Sequence, residues 1–224
     1  MVGRLRLVIF DVDGTLIDSQ AAILGAMTAA FETVGLEAPG RDAVLSIVGL
    51  SLPNAMATLA PEHGEREWQA LVDGYRAAHT AQLRHPVPTP LYPGAAAALD
   101  RLEAAGILLG IATGKAQRGV GRLLAQEGWE GRFTAIQTAD DAPSKPHPGM
   151  VENCLALTGV APEDAVVLGD TEFDMAMARS AGVHALGASW GYHPRDRLLR
   201  GGAARILDGF EGLDGALDAV WERV

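Results

Sequence analysis

An unbroken apolar run, Leu7–Phe10, is followed at once by the acidic turn Asp11–Gly14. A short apolar run bounded by polar residues is typical of a strand that is buried on both faces, as in a parallel sheet. Gly14 lets the chain turn through backbone angles that other residues resist. Two carboxylates at the end of a buried strand are costly unless positive charge lies between them. The run therefore predicts a strand that carries acids to the carboxyl edge of an α/β sheet, where such sheets bind ligands.

The acidic string has two structural alternatives. Asp-x-Asp-Gly is often only a polar turn, and taken alone the residues leave that interpretation open. A calcium-binding loop needs a further acidic or Asn ligand before the glycine and a Glu after it. Ile9 stands at the first of these positions and residues 16–22 contain no Glu, so a calcium loop is disfavoured.

The composition limits the classes of function. The 224 residues suffice for one large domain or two small ones, and 48% of them are hydrophobic, enough for a sizeable core. A net charge of −10 argues against a nucleic-acid partner. The single cysteine, Cys154, excludes an intrachain disulfide, and its apolar surroundings favour a buried, unreactive thiol. No apolar run approaches the roughly 20 residues of a membrane span or has the form of a signal peptide. We expect a cytoplasmic protein without a membrane partner.

A helical insertion is predicted directly after the first strand. Apolar residues recur there at helical spacing, and the predicted helices are 20–33, 41–48, 52–59 and 65–83. Asp18 or Ser19 is expected to cap the first helix, and Trp68 and Tyr75 are interpreted as core residues of the last one. Four prolines in His85–Gly94 predict a stiff return to the main domain.

From Ala95 onwards, helices alternate with short apolar strands. The predicted strands are 107–112, 133–137, 165–168, 183–186 and 204–207, and the predicted helices are 95–105, 115–127, 148–157, 172–181 and 213–223. This alternation implies right-handed crossovers and a parallel sheet. We therefore predict an α/β fold, a Rossmann-like parallel sheet with helices on both faces, in a core domain of residues 1–17 and 88–224. An all-helical cap domain, residues 18–87, is inserted in it.

Three later segments place polar clusters after strands, namely Thr113–Lys115, Ser144–Pro148 and Gly169–Asp174. Each alone has an ordinary interpretation: a threonine cap, a solvated lysine in a proline loop with His147 as a turn residue, and an acidic helix start. The first is not a P-loop, because Leu109 stands where a glycine is required. Likewise Gly119-Val120-Gly121 lies within a predicted helix and lacks the third glycine of a dinucleotide-binding motif.

Together the clusters predict a site, because a parallel sheet brings its strand ends to one edge. Asp11, Asp13 and Asp170 would form an oxygen-rich site for a hard cation, most simply Mg²⁺. Thr113, Lys145 and the metal would then surround a phosphate. An acid beside a bound phosphate, backed by a second acid, suits nucleophilic attack on phosphorus followed by hydrolysis.

Lysine usage singles out two positions. The chain has sixteen arginines but only two lysines, Lys115 and Lys145, and each lies in one of these clusters. Because a compact ammonium and a planar guanidinium are not interchangeable, both positions are candidates for sites that require an ammonium. Codon bias is the alternative explanation.

The strings DVDGT, TGK, KPHP and GDTEFD, in this order and spacing, resemble the motifs of the haloacid dehalogenase superfamily of phosphatases. The resemblance covers about residues 5–190, and the helical insertion resembles the α-helical cap of that family. Within the family, DVDGTLIDS and the cap string VGLSL look most like phosphoglycolate phosphatase-like proteins.

This resemblance implies a role for each matching acid. Asp11 would be the nucleophile that forms an aspartyl-phosphate. Asp13 would protonate the leaving oxygen and then deprotonate the attacking water. Asp11, the backbone carbonyl of Asp13 and Asp170 would hold Mg²⁺, and Asp174 would orient Lys145 or a metal-bound water.

The resemblance likewise implies that Thr113 and Gly114 bind the phosphoryl oxygens, while Lys145 neutralises Asp11 and the phosphate. Specificity is expected from the cap, around Arg41 and residues 48–51, with hinges at residues 18–20 and 85–93.

The predicted function is Mg²⁺-dependent hydrolysis of a small phosphorylated metabolite, such as phosphoglycolate, by a monomer or homodimer. Two alternatives stay open: a beta-phosphoglucomutase-like phosphosugar mutase, and a phosphate- or nucleotide-sensing binding protein with weak turnover. Mutase caps in this family usually carry a basic residue after the cap glycine, whereas Gly49 is followed by Leu50. Asp13 disfavours a mere binder and a dehalogenase, since neither needs an acid at that position.

Overall fold

Six parallel strands form the sheet of the computed structural model, which describes residues 4–82, 84 and 87–222. The strands are β1 (Leu7–Phe10), β2 (Leu108–Ala112), β3 (Ala135–Gln137), β4 (Ala165–Gly169), β5 (His184–Ala188) and β6 (Arg205–Leu207). Their spatial order is β3-β2-β1-β4-β5-β6, so the order reverses at β1. The predicted parallel α/β sheet is confirmed, and β1 lies at the point in such sheets where ligands bind.

The register of the central strands decides which residues meet at the carboxyl edge. Phe10 lies beside Ile111 of β2 and Leu168 of β4. The backbone N–H of Asp11 donates to the carbonyl of Leu168 at 3.0 Å. The polar clusters that follow β1, β2 and β4 therefore lie side by side at the carboxyl edge of the sheet.

Four helices follow β1: α1 (Gln20–Thr33), α2 (Arg41–Leu45), α3 (Leu52–Leu59) and α4 (Glu65–Gln82). They form the helical insertion and share an apolar core of their own, which includes Met27, Phe31, Met56 and Leu71. The insertion after β1 is confirmed. The limits of the two domains stay predictions, and residues 83, 85 and 86 of the predicted last helix and return segment lie outside the described residues.

Six helices cover the two faces of the sheet: α5 (Ala95–Ala104), α6 (Gln117–Glu127), α7 (Gly149–Thr158), α8 (Glu172–Ser180), α9 (Arg195–Gly201) and α10 (Leu213–Trp221). Successive residues of a strand point to opposite faces. Val8 and Phe10 accordingly pack with α5, α6 and α10, whereas Leu7 and Ile9 pack with α7, α8 and α9. The expected helices on both faces are confirmed. Among the described helices, none is both long and apolar enough to cross a membrane.

The structure corrects the predicted ends of two helices. The second helix ends at Leu45 and not at residue 48, since turns follow it and Gly49 has a positive φ of 99°. The helix predicted from residue 115 begins at Gln117, because Ala116 has an extended backbone. Lys115 therefore lies in the loop after β2.

Two further local features, the cap of α1 and the helix α9, could not be predicted fully because they depend on contacts elsewhere in the fold. Ser19 is the N-cap residue of α1, but its hydroxyl pairs with that of Tyr192 and makes no capping bond, while Asp18 accepts from the N–H of Gln20. The helix α9 was not predicted, because it is short and buries only Leu198 and Gly201.

The two segments that join the sheet to the helical insertion lie side by side. Ile17 and Leu91 form an antiparallel bridge. The N–H of Asp18 donates to the carbonyl of Pro90 at 2.8 Å, and the N–H of Tyr92 donates to that of Leu16 at 2.9 Å. The chain thus leaves and re-enters the core at one place, close to the acidic turn.

Candidate active site

Asp11 lies directly after β1 and its side chain is 2% exposed. The ammonium nitrogen of Lys145 is 2.9 Å from its Oδ1, but the geometry is not that of a hydrogen bond. Both carboxylate oxygens are buried without a hydrogen-bond partner among the described residues. Burial raises the pKa of Asp11 to about 6, against the opposing charge of Lys145. Such unpartnered oxygens are costly in a folded core and point to a ligand or a reacting group.

Lys145 is fully buried in the Ser144–Pro148 cluster and donates to Oδ1 of Asp174 at 2.6 Å. Burial alone would lower its pKa, but the charges of Asp11 and Asp174 outweigh burial and raise it. The side chain is therefore a permanent ammonium between two carboxylates.

Asp174 caps the start of helix α8 and also bonds to Lys145. Its Oδ2 accepts from the backbone N–H of Thr171 at 3.1 Å and from the hydroxyl of Thr171 at 2.6 Å, which completes a capping box at the start of α8. Its Oδ1 is bonded to Lys145. The bond to Lys145 is compatible with one of the two roles expected for Asp174, the orientation of Lys145, and that role stays a prediction.

Asp170 follows β4 and is fully buried. The hydroxyl of Thr15 donates to its Oδ1 at 2.8 Å, and the backbone N–H of Tyr192 donates to its Oδ2 at 2.8 Å. Burial raises its pKa well above the usual range, and the charges of Asp11 and Asp174 raise it further. These groups fix the carboxylate in one orientation beside Asp11.

Asp11, Asp170 and Asp174 each offer a carboxylate oxygen, and the three oxygens lie within 4.8 Å of one another. When ionised they carry three negative charges, and Lys145 supplies one positive charge, which leaves an excess of two. Oxygen ligands with this excess suit a hard divalent cation, and the unpartnered oxygens of Asp11 are free to bind it. The donor set therefore fits a metal ion.

Asp13 lies outside this carboxylate cluster and forms an ion pair with Lys115. The ammonium nitrogen of Lys115 is 2.8 Å from each of its two carboxylate oxygens. Burial would raise the pKa of Asp13, but the charge and hydrogen bonds of Lys115 outweigh burial and lower it. The side chain of Asp13 is thus engaged elsewhere, so a contribution to a metal would come from its backbone carbonyl, as the sequence resemblance implies.

Thr113 and Gly114 follow β2, at the same edge as Asp11. Thr113 is buried, its N–H donates to the carbonyl of Gln137 at 3.0 Å, and its hydroxyl accepts from the N–H of Lys115 at 3.3 Å. A Cβ atom at residue 114 would lie 2.7 Å from the carbonyl oxygen of Gly49. Only glycine allows the insertion to approach the core so closely here.

The insertion also contacts the core at two other places near the site. The N–H of Ser51 donates to the hydroxyl of Ser144 at 2.8 Å, beside Lys145. His193 Nδ1 accepts from the N–H of Glu172 at 3.1 Å, so Nε2 carries the proton and donates to the carbonyl of Ser46 at 3.1 Å. Burial lowers the pKa of His193 to about 4, which keeps the ring neutral. The insertion is therefore held down over the acidic edge.

The comparison with protein families agrees with this geometry. The family model of the haloacid dehalogenase-like hydrolases matches residues 8–188. The chain belongs to this family. The matched segment runs from β1 to β5 and includes Asp11, Asp13, Thr113, Gly114, Lys145, Asp170 and Asp174.

Named relatives of this haloacid dehalogenase-like hydrolase are phosphatases. The chain is 33% identical over 217 residues to the probable phosphatase IndB of Dickeya dadantii, covering 96% of this chain and 94% of the relative. It is 32% identical over 192 residues to a phosphoglycolate phosphatase of Xanthomonas campestris pv. campestris, covering 85% and 86% of the two chains. A solved structure described as a predicted phosphoglycolate phosphatase from Haemophilus somnus 129PT shares the fold, with a TM-score of 0.84, 22% identity and coverage of 96% and 99%.

The structure separates the residues named from the sequence into two groups. The structure brings together Asp11, Lys145, Asp170 and Asp174. Asp13 pairs with Lys115, and Thr113 and Gly114 follow the adjacent strand β2 at the same edge of the sheet. By contrast, Arg41 is exposed and bonds to Gln20, and His147 accepts from the N–H of Gly149 as a turn residue.

Sequence reasoning missed the pairing of Lys115 with Asp13, although the scarcity of lysine had marked the position. It also gave no role to two residues of α4 whose pKa values are shifted. Burial raises the pKa of Tyr75, and the charge of Asp13 raises it further. Burial and the charge of Lys115 lower the pKa of His79. Tyr75 packs against the core of the insertion, as expected.

Proposed function

We propose that this chain is a Mg²⁺-dependent phosphatase that hydrolyses a small phosphorylated metabolite, a phosphomonoester of phosphoglycolate type. The reaction would proceed through an aspartyl-phosphate on Asp11. The observation that carries the proposal is the state of Asp11. It is a buried carboxylate whose two oxygens have no hydrogen-bond donor in the part of the chain that the structure describes, and the ammonium of Lys145 is 2.9 Å away. An unsolvated carboxylate that is kept ionised by a neighbouring cation is an activated nucleophile.

In the first half-reaction, a carboxylate oxygen of Asp11 attacks phosphorus. The new bond forms between this oxygen and phosphorus, and the ester bond between phosphorus and the leaving oxygen breaks. Asp13 enters this step in its protonated form, although its ion pair with Lys115 lowers its pKa in the substrate-free protein. It donates the proton to the leaving oxygen, which departs as an alcohol. Lys145 holds its charge beside Asp11 throughout, and Thr113 and Gly114 bind the phosphoryl oxygens.

In the second half-reaction, the carboxylate of Asp13 accepts a proton from water as the water oxygen attacks phosphorus. The bond between Asp11 and phosphorus breaks, and inorganic phosphate is released. Asp13 is then protonated again and ready for the next turnover. The same residue serves as acid and base because the two steps are mirror images at phosphorus.

Asp11, Asp170 and the backbone carbonyl of Asp13 would hold Mg²⁺. When bound, the ion offsets negative charge on the phosphoryl oxygens and on the carboxylates. This assignment is supported by the mutual approach of the carboxylates within 4.8 Å and by their excess of negative charge.

The relatives favour the same reaction. Both named relatives are described as phosphatases, and one as a phosphoglycolate phosphatase. Identities of 33% and 32% support the reaction type more strongly than they support one substrate. The expected cytoplasmic location and the expected monomer or homodimer stay predictions.

The direct test is phosphate release from a panel of esters, with and without Mg²⁺. The panel contains 2-phosphoglycolate, sugar phosphates and nucleotides. We expect Mg²⁺-dependent release that is fastest from a small ester. A sugar phosphate that is isomerised without release of phosphate would instead establish a mutase. Binding of the esters without turnover of any of them would establish a sensing protein.

A further inference from the structure

We infer that Lys115 is the specificity residue of this site: its ammonium binds a second anionic group, a carboxylate, that the substrate carries close to the leaving oxygen. The inference rests on the proposed phosphatase function and deepens it. It assigns the substrate class as phosphate monoesters of small hydroxy acids.

The two lysines, Lys115 and Lys145, lie beside different acids of the site. Lys145 is fully buried between Asp11 and Asp174, on the side of the nucleophile. Lys115 is 2.8 Å from both carboxylate oxygens of Asp13, and its side chain is 18% exposed. Because Asp13 acts on the leaving oxygen, whatever is attached to that oxygen lies beside Lys115. Lys145 thus serves the transferred phosphoryl group, and Lys115 faces the remainder of the substrate.

The ammonium of Lys115 has at least one N–H donor that its bonds to Asp13 do not use. An ammonium has three N–H donors, and at most two of them are used on the oxygens of Asp13. Its nitrogen makes no other hydrogen bond within the part of the chain that the structure describes. A carboxylate one carbon away from the ester-bearing carbon would reach the remaining donor while the ester oxygen stays next to Asp13.

The stem of Lys115 is accommodated by a glycine on the following helix. A Cβ atom at Gly119 would lie 2.9 Å from Cγ, 3.2 Å from Cδ and 3.4 Å from Cε of Lys115. The lysine side chain therefore runs along the first turn of α6, in space that any other residue at position 119 would fill. This accounts for a glycine in a helix, where glycine is less favourable than alanine. Gly121, in the same helix, has no atom within 4 Å of a built Cβ.

Position 115 holds a lysine and not an arginine, and the two side chains bind carboxylates differently. In a chain with sixteen arginines and two lysines, the position beside Asp13 holds a lysine. A guanidinium would use its planar fork on the carboxylate of Asp13, whereas an ammonium directs its donors around a point charge. Lysine thus fits a position that must bind Asp13 and a second carboxylate together.

The test compares two esters with the same two-carbon skeleton. 2-Phosphoglycolate carries the carboxylate, and 2-hydroxyethyl phosphate carries an uncharged hydroxymethyl group in its place. We expect the wild type to favour 2-phosphoglycolate in kcat/KM. Lys115→Met keeps the length of the side chain and removes its charge. It should lower the ratio of the two kcat/KM values by about 10- to 100-fold, mainly through KM for 2-phosphoglycolate.

Two glycine variants make the test independent of Lys115 itself. Gly119→Ala displaces the lysine stem and should lower the same ratio in the same direction. Gly121→Ala is the matched control, on the same helix and with open space for the new methyl group, and should leave the ratio at the wild-type value. Equal losses for the two esters in Lys115→Met would show that Lys115 only positions Asp13, and would overturn the inference.

Failure of the inference and failure of the proposed function give different results. A wild type that releases phosphate from neither ester nor from p-nitrophenyl phosphate refutes the phosphatase function. Release from p-nitrophenyl phosphate or from both esters without preference for 2-phosphoglycolate refutes only the role of Lys115. Calorimetry in an Asp11→Asn background gives a readout without turnover, where addition of Lys115→Met should weaken binding of 2-phosphoglycolate about 10- to 100-fold. Unchanged binding would contradict the inference.

Discussion

Lys145 and Asp174 form a fully buried ion pair, with 2.6 Å between Nζ and Oδ1. The pair directs the lysine towards Asp174, so that its ammonium approaches Asp11 without the geometry of a hydrogen bond. Asp11 thereby gains the stabilising charge, and neither of its oxygens has a hydrogen-bond partner among the described residues. Lys145 thus donates its hydrogen bond to Asp174 and supplies positive charge beside Asp11. This arrangement suits a carboxylate that acts as a nucleophile.

Replacement of the proposed nucleophile gives the first prediction. Asp11→Asn removes the attacking oxygen and should reduce phosphate release to background, while the far-ultraviolet circular dichroism spectrum stays that of the wild type. The matched control is Asp218→Asn, at an exposed position on α10, which should keep wild-type activity. Activity near the wild-type level in Asp11→Asn would rule out the aspartyl-phosphate.

Loss of the buried cation should cost stability as well as activity. Lys145→Met leaves Asp11 and Asp174 close together without the charge between them. Because uncompensated buried charge typically costs 3–5 kcal/mol, we expect the free energy of unfolding at pH 7.5 to fall by about that amount in urea titrations. Lys145→Met combined with Asp174→Asn should recover part of the loss. An additive double variant would show that the two side chains do not interact.

Metal affinity should depend on pH through Asp11. Since its pKa is raised to about 6 in the metal-free protein, Asp11 binds a proton below pH 6 that Mg²⁺ must displace. The apparent affinity for Mg²⁺, measured by calorimetry, should fall up to about tenfold per pH unit below 6 and level off above it. The effect should weaken in Asp11→Asn, in which Asp170, whose pKa is also raised, is the remaining ligand that binds a competing proton.

The raised pKa of Asp11 should also make the stability of the metal-free protein fall as pH rises, whereas the affinity for Mg²⁺ increases. Between pH 3.8 and about 6 the native Asp11 binds more protons than the unfolded one, so this group lowers stability as pH rises through that window. Mg²⁺ should therefore raise the melting temperature more at pH 7.5 than at pH 5. A larger rise at pH 5 would contradict the assignment of Asp11 as a metal ligand.

His193 should make the contact between the insertion and the core sensitive to acid. Its pKa is about 4 in the folded protein and 6.5 without burial. Between these values the unfolded state binds more protons, so stability is lost as pH falls from 6.5 towards 4. The lowered pKa of His193 corresponds to a loss of stability on the order of 3 kcal/mol across this range. His193→Gln, which can still donate to Ser46, should flatten this part of the stability profile in urea titrations.

Close contact over Gly114 should be needed for turnover. In Gly114→Ala the new methyl group would lie 2.7 Å from the carbonyl oxygen of Gly49 and 2.8 Å from that of Leu50, so the loop of the insertion must move away. Because water exclusion depends on closure, we expect kcat/KM for 2-phosphoglycolate to fall at least about tenfold, with little change in melting temperature. Gly121→Ala is the control. Wild-type kcat/KM in Gly114→Ala would show that the contact is dispensable.

The sequence predicts the sheet and the acidic cluster because both follow from local patterns. Apolar runs define the strands, and in a parallel sheet the residues that follow them meet at one edge. Asp11, Asp170 and Lys145 could therefore be placed together before any coordinates were known. The parallel sheet and the helical insertion are confirmed, whereas the catalytic roles stay proposals.

What sequence reasoning missed depends on contacts between distant segments. The pairing of Lys115 with Asp13 spans 102 positions, and that of His193 with Ser46 spans 147. No local pattern reports such contacts. The beginning of α6 was misplaced for a related reason, since Lys115 is drawn back to Asp13 and does not start the helix.

The antiparallel bridge between Ile17 and Leu91 brings the two ends of the helical insertion together. A segment whose ends are adjacent can be exchanged for another of different length without altering the register of any sheet strand. If the predicted cap of residues 18–87 is a domain, this bridge would allow it to be replaced as a unit, so that recombination near Ile17 and Leu91 would change which metabolite is recognised and leave the acids of the core unchanged.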